Sequence, residues 1–411
     1  MLCTMRIICL LLLTTYVVGQ NVGGKLTEIF SWKQIGFDIE GVKYRNNSDQ
    51  ERRPNSVLFD QDLEEREKFF VQYNNVPIGL EVNSDVVFVT VPRRRHGIPS
   101  TLNFVKIGTP SPLLKPYPNF EEAKRLVSVY RPAVDPCNRL WMVDTGLLEV
   151  PGERKQIQPP AVLAYDLATE KMLFRYVFDP AVLVNERTSG GLTSITIDVQ
   201  PTSCGDAYAY INDLATEGLV VFSLKEKQFW RINHDSFTHD VKAMNFTAAG
   251  NIINWQDGVF SIALSETKDS KRTAYYHPLV STHEFSIDTK VLQQRGLNFV
   301  NEFKDLGSRG PNTQSGSHVY HEKSRTLFFA NVAQDAILCW KVDLPLVPGN
   351  VGIAVQNRRK LVYISHMILK DDNIWVLVNQ IPRFVYSRFD VHEDNYFIHS
   401  GAVKDLVKGT V

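Results

Sequence analysis

Short apolar runs, each closed by a turn-forming or polar residue, recur along the whole chain. Residues 86–91 run into Pro92, 140–143 into Asp144, and 207–211 into Asn212 and Asp213. Residues 259–264, then 326–330 before Asn331, then 374–378 before Asn379 complete the series. Successive starts lie roughly 50 to 70 residues apart, a spacing that fits four short strands joined by generous loops. Further strand signals rich in Val, Ile, Tyr and Phe lie between the runs, as in AVLAYDL, LVVFSL and KLVYIS. Only LEEREKFF and PNFEEAKRLVSVY have helical character, and both are brief enough to be loops or caps. Six recurrences, with no Ser/Gly linker or charge block between them, predict one all-β domain, a six-bladed β-propeller. In such a fold the innermost strands ring a channel, so the residues that end the runs are expected to meet at one mouth. IFSWKQIGF around Trp32 is the expected strand with which one terminus completes a blade made by the other.

The first residues change the setting. MLCTMRIICLLLLTTYVVGQ places Arg6 before an apolar stretch, residues 7–13, and ends in small residues near Gly19. That pattern predicts a secretory signal peptide over 1–19, leaving the propeller over 20–411. The apolar stretch is too short for a strong membrane span, which needs about 20 residues, so the expectation is a secreted, extracellular protein with no membrane partner. Forty-five basic residues cancel forty-five acidic ones, so nothing global draws the chain to nucleic acid. Cys3 and Cys9 leave with the leader, and Cys137, Cys204 and Cys339 remain in an oxidising compartment, an odd count. Asn46-Asn47-Ser48 and Asn245-Phe246-Thr247 are glycosylation sequons, expected at the surface.

Longer motifs then stand out: RLWMVDTG after DPCN, PPAVLAYDL, CGDAYAYINDL, WQDGVFSIALS, LGSRGPNTQS and ILCW. In order and spacing they resemble the insect Yellow and major royal jelly protein family, over nearly the whole mature chain. YNNVPIGL, FVTVPRRRHGIPSTLNFV and HPLVSTHEFSIDTKVLQQ look closest to its f-type branch, whose members resemble dopachrome conversion enzymes. The resemblance implies a Cys137–Cys204 disulfide. It also implies a partner for Cys339 just beyond a GTV-like sequence, where this chain reads Gly409-Thr410-Val411, so that Cys339 is either a free buried thiol or the sequence is truncated there. A further Cys that the family often carries is replaced by Gln158. The activity implied is dopachrome conversion in melanin formation, of tautomerase or decarboxylase type, on a small catechol-derived substrate in the central cavity. The alternatives are binding of biogenic amines or catechols without turnover, and a structural or signalling secreted protein. The oligomeric state is left open.

Dopachrome conversion removes a proton or carbon dioxide from the amino-acid carbon of a quinone-imine, which calls for a base and for donors to a developing oxyanion. His366, in YISHM where relatives more usually carry Asp, is the candidate catalytic residue, since histidine titrates near neutrality. Ser365 and Asn379 match positions that amine-binding relatives use, with Ile381 standing where those relatives have an aromatic ring. Asn212, Asp213, Gln314 and Asn331 end or flank the apolar runs and are expected at the same mouth as ligand-binding groups, with Asp144 and Asp257 as further candidates. For each acid the competing reading is a turn residue making an Asx-type bond. His318-Val319-Tyr320-His321 is rejected as a metal pair, because residues three apart on a strand face opposite sides. Arg93-Arg94-Arg95-His96 is expected as a solvated loop, with attraction of a carboxylate-bearing substrate as its other reading. No nucleotide loop, nucleophile elbow or zinc-protease motif occurs, and no cofactor or metal is expected.

Overall fold

The computed structural model describes residues 21–47, 63–110, 112–269, 271–296 and 301–410. The leader over 1–19 and Ser48 of the first sequon lie outside the described residues. The chain forms six antiparallel sheets, each of at least four strands, arranged as a six-bladed propeller. The first strand of each blade is innermost: Gly79–Asn83, Ala133–Val134, Leu192–Asp198, Val259–Leu264, Ser315–His321 and Ile364–Lys370. Each adjoins the first strand of the next blade, and the sixth adjoins the first, which closes the ring.

Six blades emerge as the apolar runs predicted, but those runs are not mainly the innermost strands. In five blades they are second strands, Val86–Thr90, Arg139–Asp144, Tyr208–Asp213, Thr326–Asn331 and Asn373–Val378. Only Val259–Leu264 is innermost. A second strand sits between two sheet neighbours and under the faces of two adjacent blades, so both of its sides are buried and its apolar residues run on without alternation. An innermost strand borders the channel and crowds its neighbours, which favours small and polar residues. Gly79 illustrates the crowding, since a Cβ there would stand 2.2 Å from the Tyr130 carbonyl oxygen of blade 2.

The hydrophobic core is split into six wedges between blades. Trp141, Val162 and Ala164 of blade 2 meet Ile195, Ile211 and Phe222 of blade 3, and similar clusters fill the other clefts. The wedge between blades 6 and 1 also takes in Phe246, Ile253 and Phe384 from loops that cap one mouth. Closure is made by the N-terminal strand Leu26–Trp32, which pairs antiparallel with Tyr396–Ala402, as expected for the segment around Trp32. Trp32 Nε1 then donates to Pro112 O at 2.8 Å and Lys360 pairs with Glu28 at 2.8 Å. The Cys137–Cys204 disulfide is present and ties blade 2 to blade 3. Cys339 is free and buried, with its Sγ 3.5 Å from Thr410 Oγ1. The helical segments are short, Glu65–Glu67 and Phe120–Ala123 among them, and both lie in connections. No helix among the described residues is long and apolar enough to cross a membrane.

Candidate functional site

The channel opens into a cavity at each end. The upper one, where the innermost strands begin, has a volume of about 500 Å3; the lower one, where they end, about 320 Å3. Arg131 stands between them. From blade 2 it crosses the channel, donating through Nε to Ser365 O of blade 6 at 2.9 Å and through Nη1 to Thr193 O of blade 3 at 3.2 Å. Its guanidinium lies 4.4 Å from the ring centroid of Phe260 in blade 4. Burial pushes its pKa down to about 10, which still leaves it charged at neutral pH.

The upper cavity combines aromatic walls with charge. Trp255 stacks on Tyr386 at 6.2 Å and meets Tyr363 edge-on at 6.1 Å, and with Phe260 these rings face the space. The Trp255 indole N–H donates to the Tyr386 hydroxyl. Tyr386, Val385 and Ile381 come from the short helix Ile381–Tyr386, which roofs the mouth. Arg94, Arg154 and Arg187 add guanidinium groups, and Arg94 is steadied by an Nε bond to Val150 O at 3.0 Å. Asp257 is the single carboxylate among the described lining residues. Withdrawal from bulk water pushes its pKa up to about 6, against the pull of Arg94, Arg131 and Arg187. A carboxyl half-ionised at about pH 6, beside several cations and aromatic faces, has the properties of a general base for an acidic C–H.

The sequence-derived candidates separate on this frame. Ser365 lines the upper cavity, but its Oγ already donates to Ile78 O at 2.8 Å. His366, the next residue, lines the lower cavity. Its Nδ1 accepts from Leu80 N at 3.1 Å, so the neutral ring carries its hydrogen on Nε2, and burial pushes its pKa down to about 3. In this state it presents a donor rather than a base. Asn379 and Asn331 sit at the ends of second strands and lock turns: Asn379 donates to Pro77 O and accepts from Ile381 N, while Asn331 donates to Asn312 O and accepts from Gln334 N. Asp213 is clasped by Arg231 at 2.8 Å and by Thr216. Gln314 donates to Ala243 O at 2.8 Å, and Asn212 is fully buried with neither side-chain atom bonded among the described residues. None of these five is among the residues lining the upper cavity: Asn212, Asp213, Asn331 and Asn379 end second strands, one layer out from the channel, and Gln314, just before the innermost strand Ser315–His321, is taken up by the Ala243 carbonyl. Asp144 is likewise structural, accepting from the backbone of Val127, Ser128 and Gly146.

The Arg93 to His96 segment departs from the solvated loop expected of it. Arg93 is bonded to the carbonyls of Leu126, Val127, Ile98 and Pro99, Arg94 reaches the upper cavity, and Arg95 packs 4.0 Å over Phe384. Asn46 and Asn245 of the two sequons are exposed. Arg131, which divides the channel, carries no motif and is set off in sequence only by its neighbours Tyr130 and Pro132.

The lower cavity holds Glu81, whose carboxyl accepts from Val82 N and Val134 N, both at 2.9 Å, yet is pushed by burial up to about 7. His318 and His321 go to different partners, His321 to Asp372 and His318 into a fully buried cluster with Glu284, His277 and Arg309. Burial alone would raise Glu284, but its contacts with His277 and His318 outweigh that and hold it at about 2. His277, Glu284 and His318 are close enough together to suggest a metal site. The Arg309 guanidinium at 2.8 Å already supplies the cation to Glu284, while the remaining ring nitrogens face Gly316 O and Ser261 Oγ. The cluster therefore reads as an inter-blade clasp.

Residues 127–411 match the family model described as "Major royal jelly protein". The "L-dopachrome tautomerase yellow-f" of Drosophila melanogaster is 38% identical over 95% of this chain and 94% of its own length. The "Dopaminechrome tautomerase" of the same fly is 31% identical over 83% of this chain and 78% of its own, and "Protein yellow" of Drosophila erecta 33% identical over 94% and 70%. Among solved structures, a luciferin-regenerating enzyme aligns with TM-score 0.47 and 11% identity, over 82% of this chain and 93% of that one.

Proposed function

Because the chain belongs to the major royal jelly protein family, we propose that it is an exported aminochrome tautomerase, converting a dopachrome-type quinone-imine to a dihydroxyindole in the upper cavity. The observation that carries this reading is Asp257, an aromatic-walled carboxyl with its pKa near 6, set among guanidinium groups. Trp255, Phe260 and Tyr386 receive the planar ring. Ionised Asp257 takes the proton from the ring carbon that bears the amino-acid substituents. The C–H electron pair enters the ring and the quinone oxygens gain charge as the catecholate forms; loss of a second proton from the neighbouring ring CH2 gives the indole, and protonation of both oxygens completes an isomerisation that needs no oxidant. Arg94 and Arg187, whose charges act on Asp257, also offset the charge that develops on the oxygen. Where carbon dioxide leaves instead of the proton, the same cations stabilise the same catecholate.

The positive excess of this cavity counts against the amine-binding alternative, since an ammonium would enter among four arginines. Export is supported by the leader-like first residues, the disulfide and the exposed sequon asparagines. Purified protein is expected to accelerate the loss of dopachrome absorbance over a heat-inactivated control, with dihydroxyindole as product by chromatography. Decay no faster than the control would overturn the assignment.

A further inference from the structure

The floor of the upper cavity has a feature that ring binding and proton abstraction leave unused. Thr193 lines the cavity and is 5% exposed, yet its Oγ1 makes no hydrogen bond among the described residues. Immediately beside it, Arg131 uses Nε and Nη1 on the carbonyls of Ser365 and Thr193, and among the described residues Nη2 bonds to no protein atom. No carboxylate pairs with Arg131 among the described residues either: Asp257 acts on it through space without forming an ion pair. A buried guanidinium without a counter-ion, next to a buried hydroxyl without a partner, is costly to maintain unless a ligand completes both.

Resting on the aminochrome reading above, we propose that Arg131 and Thr193 form a carboxylate subsite, so that the protein selects an aminochrome carrying a ring carboxylate over its decarboxylated analogue. The Nη2 hydrogens and the Thr193 hydroxyl are donors, and a carboxylate is acceptor-only with two oxygens, so one group satisfies both. Charge agrees. Arg94, Arg131, Arg154 and Arg187 face one carboxylate, Asp257, leaving the cavity strongly positive in a chain whose 45 basic and 45 acidic residues cancel. The attraction is therefore local to this mouth. Position agrees too: the subsite is at the floor and Trp255 and Tyr386 are at the roof, so an anchored carboxylate leaves the ring beside the aromatic walls and Asp257.

The test pairs binding with turnover. Calorimetry on the full chain compares indole-2-carboxylate with indole, neither of which can react, and kinetics compares kcat/KM for L-dopachrome and dopaminechrome. The expected result is about 10- to 100-fold preference for the carboxylated member of each pair, the scale of hydrogen bonds to a charged group. Arg131→Gln should bring both preferences close to unity. Thr193→Val, which removes only an unbonded hydroxyl at constant volume, should lower them about 3- to 10-fold with the thermal midpoint unchanged, and keeps the test decisive if Arg131→Gln does not fold. Equal binding of the two indoles, or preferences untouched by Thr193→Val and Arg131→Gln alike, would overturn the subsite while leaving a tautomerase intact. A variant-sensitive preference for indole-2-carboxylate in a protein that turns over neither aminochrome would uphold the subsite and refute the catalytic reading.

Discussion

The two ends of the channel are built from the same six strands, only a few residues apart, yet their chemistry is opposite. The upper cavity gathers four guanidinium groups around one carboxyl, with five aromatic residues, Tyr130, Trp255, Phe260, Tyr363 and Tyr386, in its lining. The lower cavity is lined by aliphatic residues such as Ile195, Ile262 and Ile368, with Glu81 and Asp135 as its buried acids and His366 presenting a donor. On three innermost strands a step of one residue crosses from one cavity lining to the other: Thr193 to Ser194, Phe260 to Ser261 and Ser365 to His366. Neighbours in sequence are thus not neighbours in function: a candidate assigned to a propeller site must be placed by its position along the strand as well as by its blade.

The largest expected effect that would break this contrast is on turnover. Asp257→Asn should lower kcat/KM for dopachrome about 10²- to 10⁴-fold, the usual contribution of a positioned base, whereas His366→Ala should change it less than about threefold. The wild-type rate should also rise with pH through about 6, as Asp257 ionises, and this limb should vanish in Asp257→Asn. A loss in His366→Ala as deep as in Asp257→Asn would place the chemistry in the lower cavity. Next in size is the brace near the lower mouth, where Asp135 and Pro136 line the cavity just before the disulfide. Cys137→Ala with Cys204→Ala should cost about 4 kcal/mol by chain-entropy arguments, read as a lower denaturant midpoint, while kcat of the folded fraction is unchanged.

A smaller effect, read in stability, concerns Glu81 of the lower cavity. Burial raises Glu81 from its ordinary 4.5 to about 7, so the folded state holds a proton that the unfolded chain has already released. The stability this contributes is complete below 4.5 and is lost as pH climbs through about 7. Glu81→Gln, neutral at every pH, should therefore gain on the wild type by up to roughly 3 kcal/mol at pH 8 and by nothing at pH 4. Thermal melts at the two pH values read the difference, and a gain of equal size at both would show that the carboxyl is not the cause.

Much of the architecture is legible in the sequence because burial on both faces writes itself as continuous apolar runs. One such run per blade reveals six blades, and the segment around Trp32 is recognisable as the closing strand. The layer of each run is not legible: a second strand is more apolar than the innermost one, so Asn331, Asn379 and Asp213 look like mouth residues although their turns lie one layer out. Asp257 is visible as a candidate but cannot be told from Asp144 by composition. What separates them is their surroundings in space: Asp144 is encircled by backbone N–H groups, while Asp257 faces open volume. Arg131 escapes sequence reasoning altogether, since its partners come from blades 3, 4 and 6. The triple-arginine segment shows the converse, because one residue of an apparently solvated run, Arg94, belongs to the cavity.

The pairing of Trp32 with Tyr396 has a consequence for how the molecule comes into being. The strand Leu26–Trp32 is among the first parts of the propeller to be synthesised, and its partner Tyr396–Ala402 is among the last. Until that partner emerges, blade 6 lacks a strand and the N-terminal strand remains an unsatisfied edge, open to pairing with other chains. Ring closure is thus a long-range event whose loop entropy is met only once the strand Tyr396–Ala402 is available. A chain that stalls before this closing strand is the species most exposed to misassembly, which makes Tyr396–Ala402 the timekeeper of the whole propeller.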